Sequence, residues 1–307
     1  MSWSAIADLA VARSHPAVAT LGGKIYAIGG GGPRFASLNS VEVFDPPSGR
    51  WSAASPMPTL RSGAMAVPLG DRIAVIGGGF RKPDGKFTFL RTVEFYEPAT
   101  DRWTAGPDML QPHDYPACAV LDEWIYIVGG HHPDATEGGP QTDPGFSFAE
   151  RWQPGAKEWQ ELAPLPTPRF AAAGLILGGR VAVAGGVAFT PDGFMEFDRV
   201  ECYDPARRTW ERAAWSLPWT TAAHGLARLG SGLTVCGGFS GDAGIGAFAA
   251  RCGLDEHGAP GPWAMLPSLP EPRAAMGVAE LEGRLYLIGG WAADRSVMAG
   301  ARVWTDG

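Results

Sequence analysis

The chain has 307 residues, of which 45% are hydrophobic and 19% charged, with 43 glycines and 27 prolines. Apolar residues this dense exclude a disordered chain, and the Gly and Pro content implies many tight turns between short strands. A net charge of −7 argues against a broad basic face for nucleic acid, and no apolar run is long enough to span a bilayer.

The chain opens on Met1-Ser2-Trp3-Ser4, with no basic region ahead of an apolar run, so no export signal is read here. The four cysteines (Cys118, Cys202, Cys236, Cys252) form no CxxC pair and sit in apolar, strand-like segments, as buried reduced thiols do. Both readings point to the cytoplasm.

From residue 21 onward a unit recurs. An apolar run ending in a double glycine appears at 25–30 (IYAIGG), 73–78 (IAVIGG), 125–130 (IYIVGG), 181–186 (VAVAGG), 233–238 (LTVCGG) and 285–290 (LYLIGG). Eight residues before each first glycine stands a leucine: Leu21, Leu69, Leu121, Leu177, Leu229 and Leu281. Turn residues such as Gly22 and Gly23 separate the leucine from the apolar run, so each pair of segments predicts a β-hairpin. A third strand follows at 41–45 (VEVFD), 93–97 (VEFYE), 149–153 (AERWQ) and 200–204 (VECYD), each ended by a proline. Trp51, Trp103, Trp159, Trp210 and Trp263 then open a fourth.

Four short strands per unit make one propeller blade. The last unit supplies a third strand near 301–305 but no fourth, while Trp3 heads an unpaired copy of the fourth. The first strand is therefore expected to complete the last blade and close a ring of six, leaving no exposed sheet edge. The fold class is all-β, a six-bladed β-propeller over 1–307.

The double glycine, the acidic–aromatic third strand and the tryptophan together resemble the kelch repeat family across the whole chain. Blade 5 departs most, its third strand reading FAARCG over 248–253. The resemblance implies the propeller strongly and function poorly, because kelch propellers include protein-interaction modules, a copper-radical oxidase and sugar-acid epimerases. No cysteine falls near the channel mouth by register, which counts against the oxidase. Function must be read from the site.

Register places the start of each innermost strand and the loop after each double glycine at one mouth of the central channel. Sixteen residues before each first glycine stand Arg13, Arg61, His113, Arg169, Thr221 and Arg273. The four arginines look like the kelch consensus arginine, which in some kelch interaction domains resembles a carboxylate clamp. Converging on one opening, they would favour an anionic ligand. Five of the six histidines (His15, His113, His131, His132, His224) fall in the same segments.

Blade 3 concentrates the chemistry, with His113-Asp114-Tyr115 before its first strand and His131, His132 and Asp134 after its glycines. It also has a long excursion over 133–145. Histidine near its ordinary pKa suits proton transfer, and a neighbouring Asp can fix its tautomer. His113, His131, Asp114, His15 and His224 are the candidate catalytic residues. Arg13, Arg61, Arg169, Arg273, Tyr115, His132, Phe170, Trp219, Phe239 and Trp291 are the candidate ligand contacts. No cofactor is expected. A transition metal at His113, His131 and His132 is the competing chemistry, against which stand the missing HxH or HExxH spacing and the opposite directions of adjacent side chains in an extended chain. Two functional readings stand side by side. One is a cofactor-independent acid–base enzyme (isomerase or mutarotase, lyase or cyclase) acting on a small anionic molecule. The other is an interaction scaffold for an acidic peptide or partner.

Overall fold

The computed structural model describes residues 2–136, 142–191, 193–241 and 243–305. Among them are six four-stranded antiparallel sheets, one per repeat, and three two-stranded hairpins carried by blades 2, 4 and 5. The innermost strands are Ala17–Leu21, Met65–Leu69, Ala117–Leu121, Ala173–Leu177, Gly225–Leu229 and Gly277–Leu281. The second strands, such as Lys24–Gly31 and Arg72–Ile76, are the most buried, with Ile25, Ile73, Ile125, Leu233 and Leu285 each fully enclosed. They are apolar on both faces because each blade is packed between two others. One cluster, for example, joins Tyr26 and Val43 of blade 1 to Ile73 and Tyr96 of blade 2. Each buried Ile or Val side chain contributes about 1.5–3 kcal/mol.

The ring closes as the tryptophan count requires. Ser2–Ile6 pairs antiparallel with Ala301–Thr305 as the outer strand of blade 6, Trp3 lying opposite Trp304 with their rings 5.1 Å apart.

The tryptophans have a further task. The indole Nε1 of each donates to a carbonyl at or just beyond the end of the outer strand of the blade before it. Trp51 reaches Ala7 (2.8 Å), Trp103 Ser55 (2.9 Å), Trp159 Pro107 (2.9 Å), Trp210 Ala163 (2.8 Å) and Trp263 Ser216 (2.9 Å). Trp3 reaches Pro267 (3.1 Å), carrying the series across the closure.

The double glycines seat the next blade. Both glycines of each pair have positive φ, for example 59° and 104° at Gly29 and Gly30. A Cβ on Gly29 would come within 2.6 Å of the Arg61 carbonyl, while the Gly30 N–H donates to that same carbonyl at 2.9 Å. Only glycine allows this approach.

The consensus arginines are internal rivets, which corrects the expectation that they line the mouth. Arg13, Arg61, Arg169 and Arg273 are at most 1% exposed. Arg13 pairs with Glu42 at 2.5 Å, Arg61 with Glu94, and Arg169 with Glu201. Each also donates to its own blade's first glycine carbonyl. In blade 6 the third-strand acid is replaced by Arg302, and Glu271 pairs with both Arg273 (3.1 Å) and Arg302. Burial pushes the Arg169 guanidinium down to about 10, with Glu201 opposing, so it stays charged at neutral pH. A guanidinium so buried, with an internal acid as its partner, is not presented to an outside carboxylate.

Candidate functional site

Around the axis, the residue two positions before each innermost strand takes a left-handed backbone: His15, Gly63, Tyr115, Ala171, Ala223 and Ala275, with φ between 49° and 66°. Their peptide groups form a closed ring. The N–H of His15 donates to Ala275 (2.7 Å), Gly63 to His15 (3.1 Å), Tyr115 to Gly63 (2.9 Å), Ala171 to Tyr115 (3.0 Å), Ala223 to Ala171 (2.8 Å) and Ala275 to Ala223 (2.8 Å). A non-glycine residue in this conformation costs roughly 1–2 kcal/mol, and five of the six bear that cost because the ring over-determines them.

The collar separates two spaces. Behind it, a channel cavity of about 320 Å³ runs between the innermost strands. In front lies a mouth cavity of about 140 Å³. His15, Gly63 and Tyr115 line both. The collar's large side chains crowd together, His15 meeting Tyr115 edge-on at 4.7 Å and Trp291 at 4.5 Å. Ser14 Oγ donates to the Gly31 carbonyl, so its contact with His15 Nδ1 at 3.1 Å is one in which the ring donates. Burial, helped by the charge of His131, lowers the His15 pKa to about 3 and keeps the ring neutral.

His131 is the most constrained polar group at the mouth. Its ring is stacked on Phe170 (3.9 Å, 24°) and faces Phe89 on the other side (5.7 Å, 16°). Nδ1 lies 2.5 Å from Asp143 Oδ2, and Nε2 lies 3.7 Å from Asp114 Oδ2. The Asp143 carboxylate is fixed by the N–H groups of His132 (3.0 Å) and Gly145 (3.1 Å), and its backbone is bridged to Phe189 of the blade-4 hairpin. Two blades therefore hold this one carboxylate, and it holds His131 as an Nδ1–H donor.

Burial alone would lower the His131 pKa, but the Asp143 hydrogen bond and the charges of Asp114 and Asp143 together raise it. Asp114 moves toward it from the other side. Burial, reinforced by Asp143 and opposed by His131, pushes its carboxyl up to about 6. Gly63 makes room for that carboxylate, since a Cβ there would overlap Asp114 Oδ1. Burial also raises the Asp143 carboxyl, but His131 and the two N–H groups outweigh it and leave Asp143 below the ordinary range. The result is a carboxylate–imidazole–carboxylate line whose two cavity-facing members, His131 and Asp114, are both raised above their ordinary pKa values.

Comparison with known proteins bears on the scaffold. A model of the kelch motif matches residues 12–58, from the first consensus arginine through the outer strand of blade 1. Kelch-like protein 15 of Danio rerio is 25% identical over 232 residues, covering 68% of this chain and 35% of that protein. Beta-scruin of Limulus polyphemus is 27% identical over 213 residues, covering 67% of this chain and 22% of that protein. Residues 12–58 thus carry a kelch motif, and the chain is similar to kelch-repeat proteins over about two thirds of its length. It spans about a third or less of the length of these curated relatives. Among solved structures, that of YjhT matches with a TM-score of 0.78 at 16% identity, covering 96% of this chain and 95% of the other, a likeness of fold.

On this kelch frame, His131, Asp114, His15, Tyr115, Phe170 and Trp291 come together at the mouth as the register predicts. Others do not. His113 stands in the blade-3 rivet, fully buried, Nδ1 donating to the Gly129 carbonyl at 2.6 Å and Nε2 at 3.1 Å from Glu150. It is neither a mouth acid nor free for a metal. His132 turns the other way, against Phe146, its Nδ1 accepting from the Asp134 N–H. Among the described residues no group of three or more His, Cys, Asp or Glu has metal-holding geometry. His224 sits behind the collar with neither ring nitrogen bonded, neutral because burial lowers its pKa to about 4. Trp219 and Phe239 line a separate cavity in blade 5. Asp143 escaped the sequence reading, since nothing in its spacing distinguishes it within the blade-3 excursion. Positions 137–141 of that excursion lie outside the described residues. The four cysteines are free thiols, and among the described residues no helix is long and apolar enough to cross a membrane.

Proposed function

We propose that the mouth cavity binds a small hydroxyl- or carbonyl-bearing molecule and transfers protons on it, as an isomerase or mutarotase does. The observation that carries this reading is the Asp143–His131–Asp114 line facing a cavity walled by Trp291, Tyr115 and Phe35. His131, whose pKa the two carboxylates raise, is the proton donor of the pair, and Asp114, ionised above its own pKa of about 6, the acceptor. One group removes a proton from the ligand as the other delivers one, so the chemistry balances within the pair. The cavity of about 140 Å³ is smaller than most ligand pockets and suits a compact molecule. Preference for an anion loses its basis with the burial of the consensus arginines, and so does the acidic-peptide clamp. A scaffold reading keeps one support: exposed apolar side chains at the tips of rim segments, Phe35 (58%) and Met195 (46%).

The test is a thermal-shift screen of sugars, sugar acids and hydroxy acids on the wild type, His131→Asn and Asp114→Asn, followed by an exchange assay by proton NMR on any hit. A ligand at about 100 times its Kd raises stability by roughly 2.7 kcal/mol. The expected result is a hit whose isomer exchange falls by about 10²–10⁴-fold in both variants. A hit that binds and exchanges equally well in both variants would overturn the assignment.

A further inference from the structure

Blade 5 has lost both halves of the rivet. Thr221 stands where the other blades carry Arg13, Arg61, His113, Arg169 and Arg273, and Ala250 stands where blades 1 to 4 carry Glu42, Glu94, Glu150 and Glu201. The backbone around it is unchanged. In the five filled slots the first glycine's carbonyl accepts from the rivet side chain: Gly29 from Arg13 (2.8 Å), Gly77 from Arg61 (2.9 Å), Gly129 from His113 (2.6 Å), Gly185 from Arg169 (3.0 Å) and Gly289 from Arg273 (2.7 Å). In the four arginine slots the same guanidinium nitrogen also reaches a carbonyl two residues before the third-strand acid position. These are Ser40 (3.0 Å), Thr92 (2.8 Å), Arg199 (3.3 Å) and Gly300 (2.6 Å). The blade-5 counterparts are Gly237 and Phe248, with Thr221 in place of the side chain that would reach them.

A cavity of about 310 Å³ stands in that place, lined by Thr221, Gly237 and Phe248 and walled by Trp219, Phe239 and Met265. The filled slots are sealed, with each guanidinium at most 1% exposed, whereas this one opens past Phe248 (52% exposed) and Met265 (62% exposed). The rings of Trp219 and Phe248 lie 5.9 Å apart. At the rim, Ser240 Oγ donates to Glu196 at 3.2 Å, placing a carboxylate beside the opening.

We propose that this slot binds an alkyl-guanidinium group from outside the chain. The fork takes the Gly237 and Phe248 carbonyls that its counterparts take in the sister blades, the alkyl stem runs along Trp219 and Phe248, and the cation gains from the aromatic faces and from Glu196. Phe248 already accepts from the Gly237 N–H (2.8 Å), as Thr92 does from Gly77 (3.0 Å) while also receiving Arg61. The second lone pair is therefore open to a ligand in the same way. The cavity is separate from the mouth, so the proposal stands or falls independently of the proton-transfer site.

The experiment is a titration of tryptophan fluorescence, checked by calorimetry, with three probes: agmatine, the amide of Gly-Arg-Gly, and neutral butylurea of similar shape. At least one guanidinium probe is expected to bind at least tenfold more tightly than butylurea. Agmatine alone points to a free small molecule, and both together to an arginine side chain of a partner. The double variant Thr221→Arg/Ala250→Glu rebuilds the rivet from within and is expected to abolish binding while raising the Tm. Trp219→Ala, which removes a wall without filling the slot, is expected to weaken binding several-fold. Guanidinium probes binding no better than butylurea, binding retained in the refilled slot, or binding of undiminished affinity in the Trp219→Ala protein would overturn the proposal.

Discussion

His131 and Arg61 show how differently two polar residues of one repeat family are used. Arg61 is enclosed and bonded to Glu94, Gly77, Thr92 and the Met57 sulfur. Removing one member of such a pair strands the other's charge in the interior, which costs about 3–5 kcal/mol. Arg61→Ala is therefore expected to lose that much in urea denaturation. His131→Ala, at a half-open mouth, is expected to lose about 1 kcal/mol or less. Similar losses in both would mean that His131 is structural. Asp114 adds a pH test. Its folded pKa of about 6 lies above the unfolded 3.8, so the stability tied to its protonated form is complete below about pH 3.8 and is lost as pH rises through about 6. The loss is on the order of 3 kcal/mol. Asp114→Asn, which cannot ionise, should therefore gain on the wild type between pH 4 and pH 7.5. An unchanged difference between the two proteins at those pH values would contradict the burial assigned to this carboxyl.

At the scale of elements, the six hairpins, the glycine pairs and the closing strand were legible because each repeats in phase, and a period of about fifty residues exposes them without any partner being known. Side-chain partnership was less legible. The arginines invite a mouth reading because their positions approach the axis, yet the acids of Arg13, Arg61 and Arg169 lie 29 to 33 residues further on, in the third strand. The signal was present in the repeats: blade 5 drops arginine and acid together, and blade 6, with Arg302 in the acid position, supplies Glu271 instead. Asp143 had no such signal, because an excursion unique to blade 3 has no sister to compare. The closing strand carries its own prediction. Removal of residues 1–8 strips the outer strand from blade 6 together with the Trp3 staple to Pro267 and the Ala7 acceptor of Trp51. Circular dichroism melting is expected to show a large fall in Tm or loss of the cooperative transition. A truncated protein that melts like the full chain would contradict closure by this strand.

At the scale of the whole molecule, three cyclic systems share one symmetry: indole staples at the rim, rivets at mid-blade and a ring of peptide bonds at the axis. Each binds a blade to itself or to the next, and the departures from symmetry mark where chemistry is held. Blade 3 departs at the mouth, where a unique excursion delivers Asp143 to His131, and blade 5 departs at its empty rivet. The central claim is that the mouth holds His131 as an oriented acid–base group. Nitrogen-15 NMR of its imidazole from pH 5 to 8, in the wild type and in Asp143→Asn, tests it most directly. The expected result is an Nδ1–H neutral tautomer and a pKa above the ordinary 6.5 in the wild type, with both the tautomer preference and the raised pKa diminished in Asp143→Asn. A His131 that titrates at or below 6.5, with mixed tautomers indifferent to the Asp143 substitution, would contradict it.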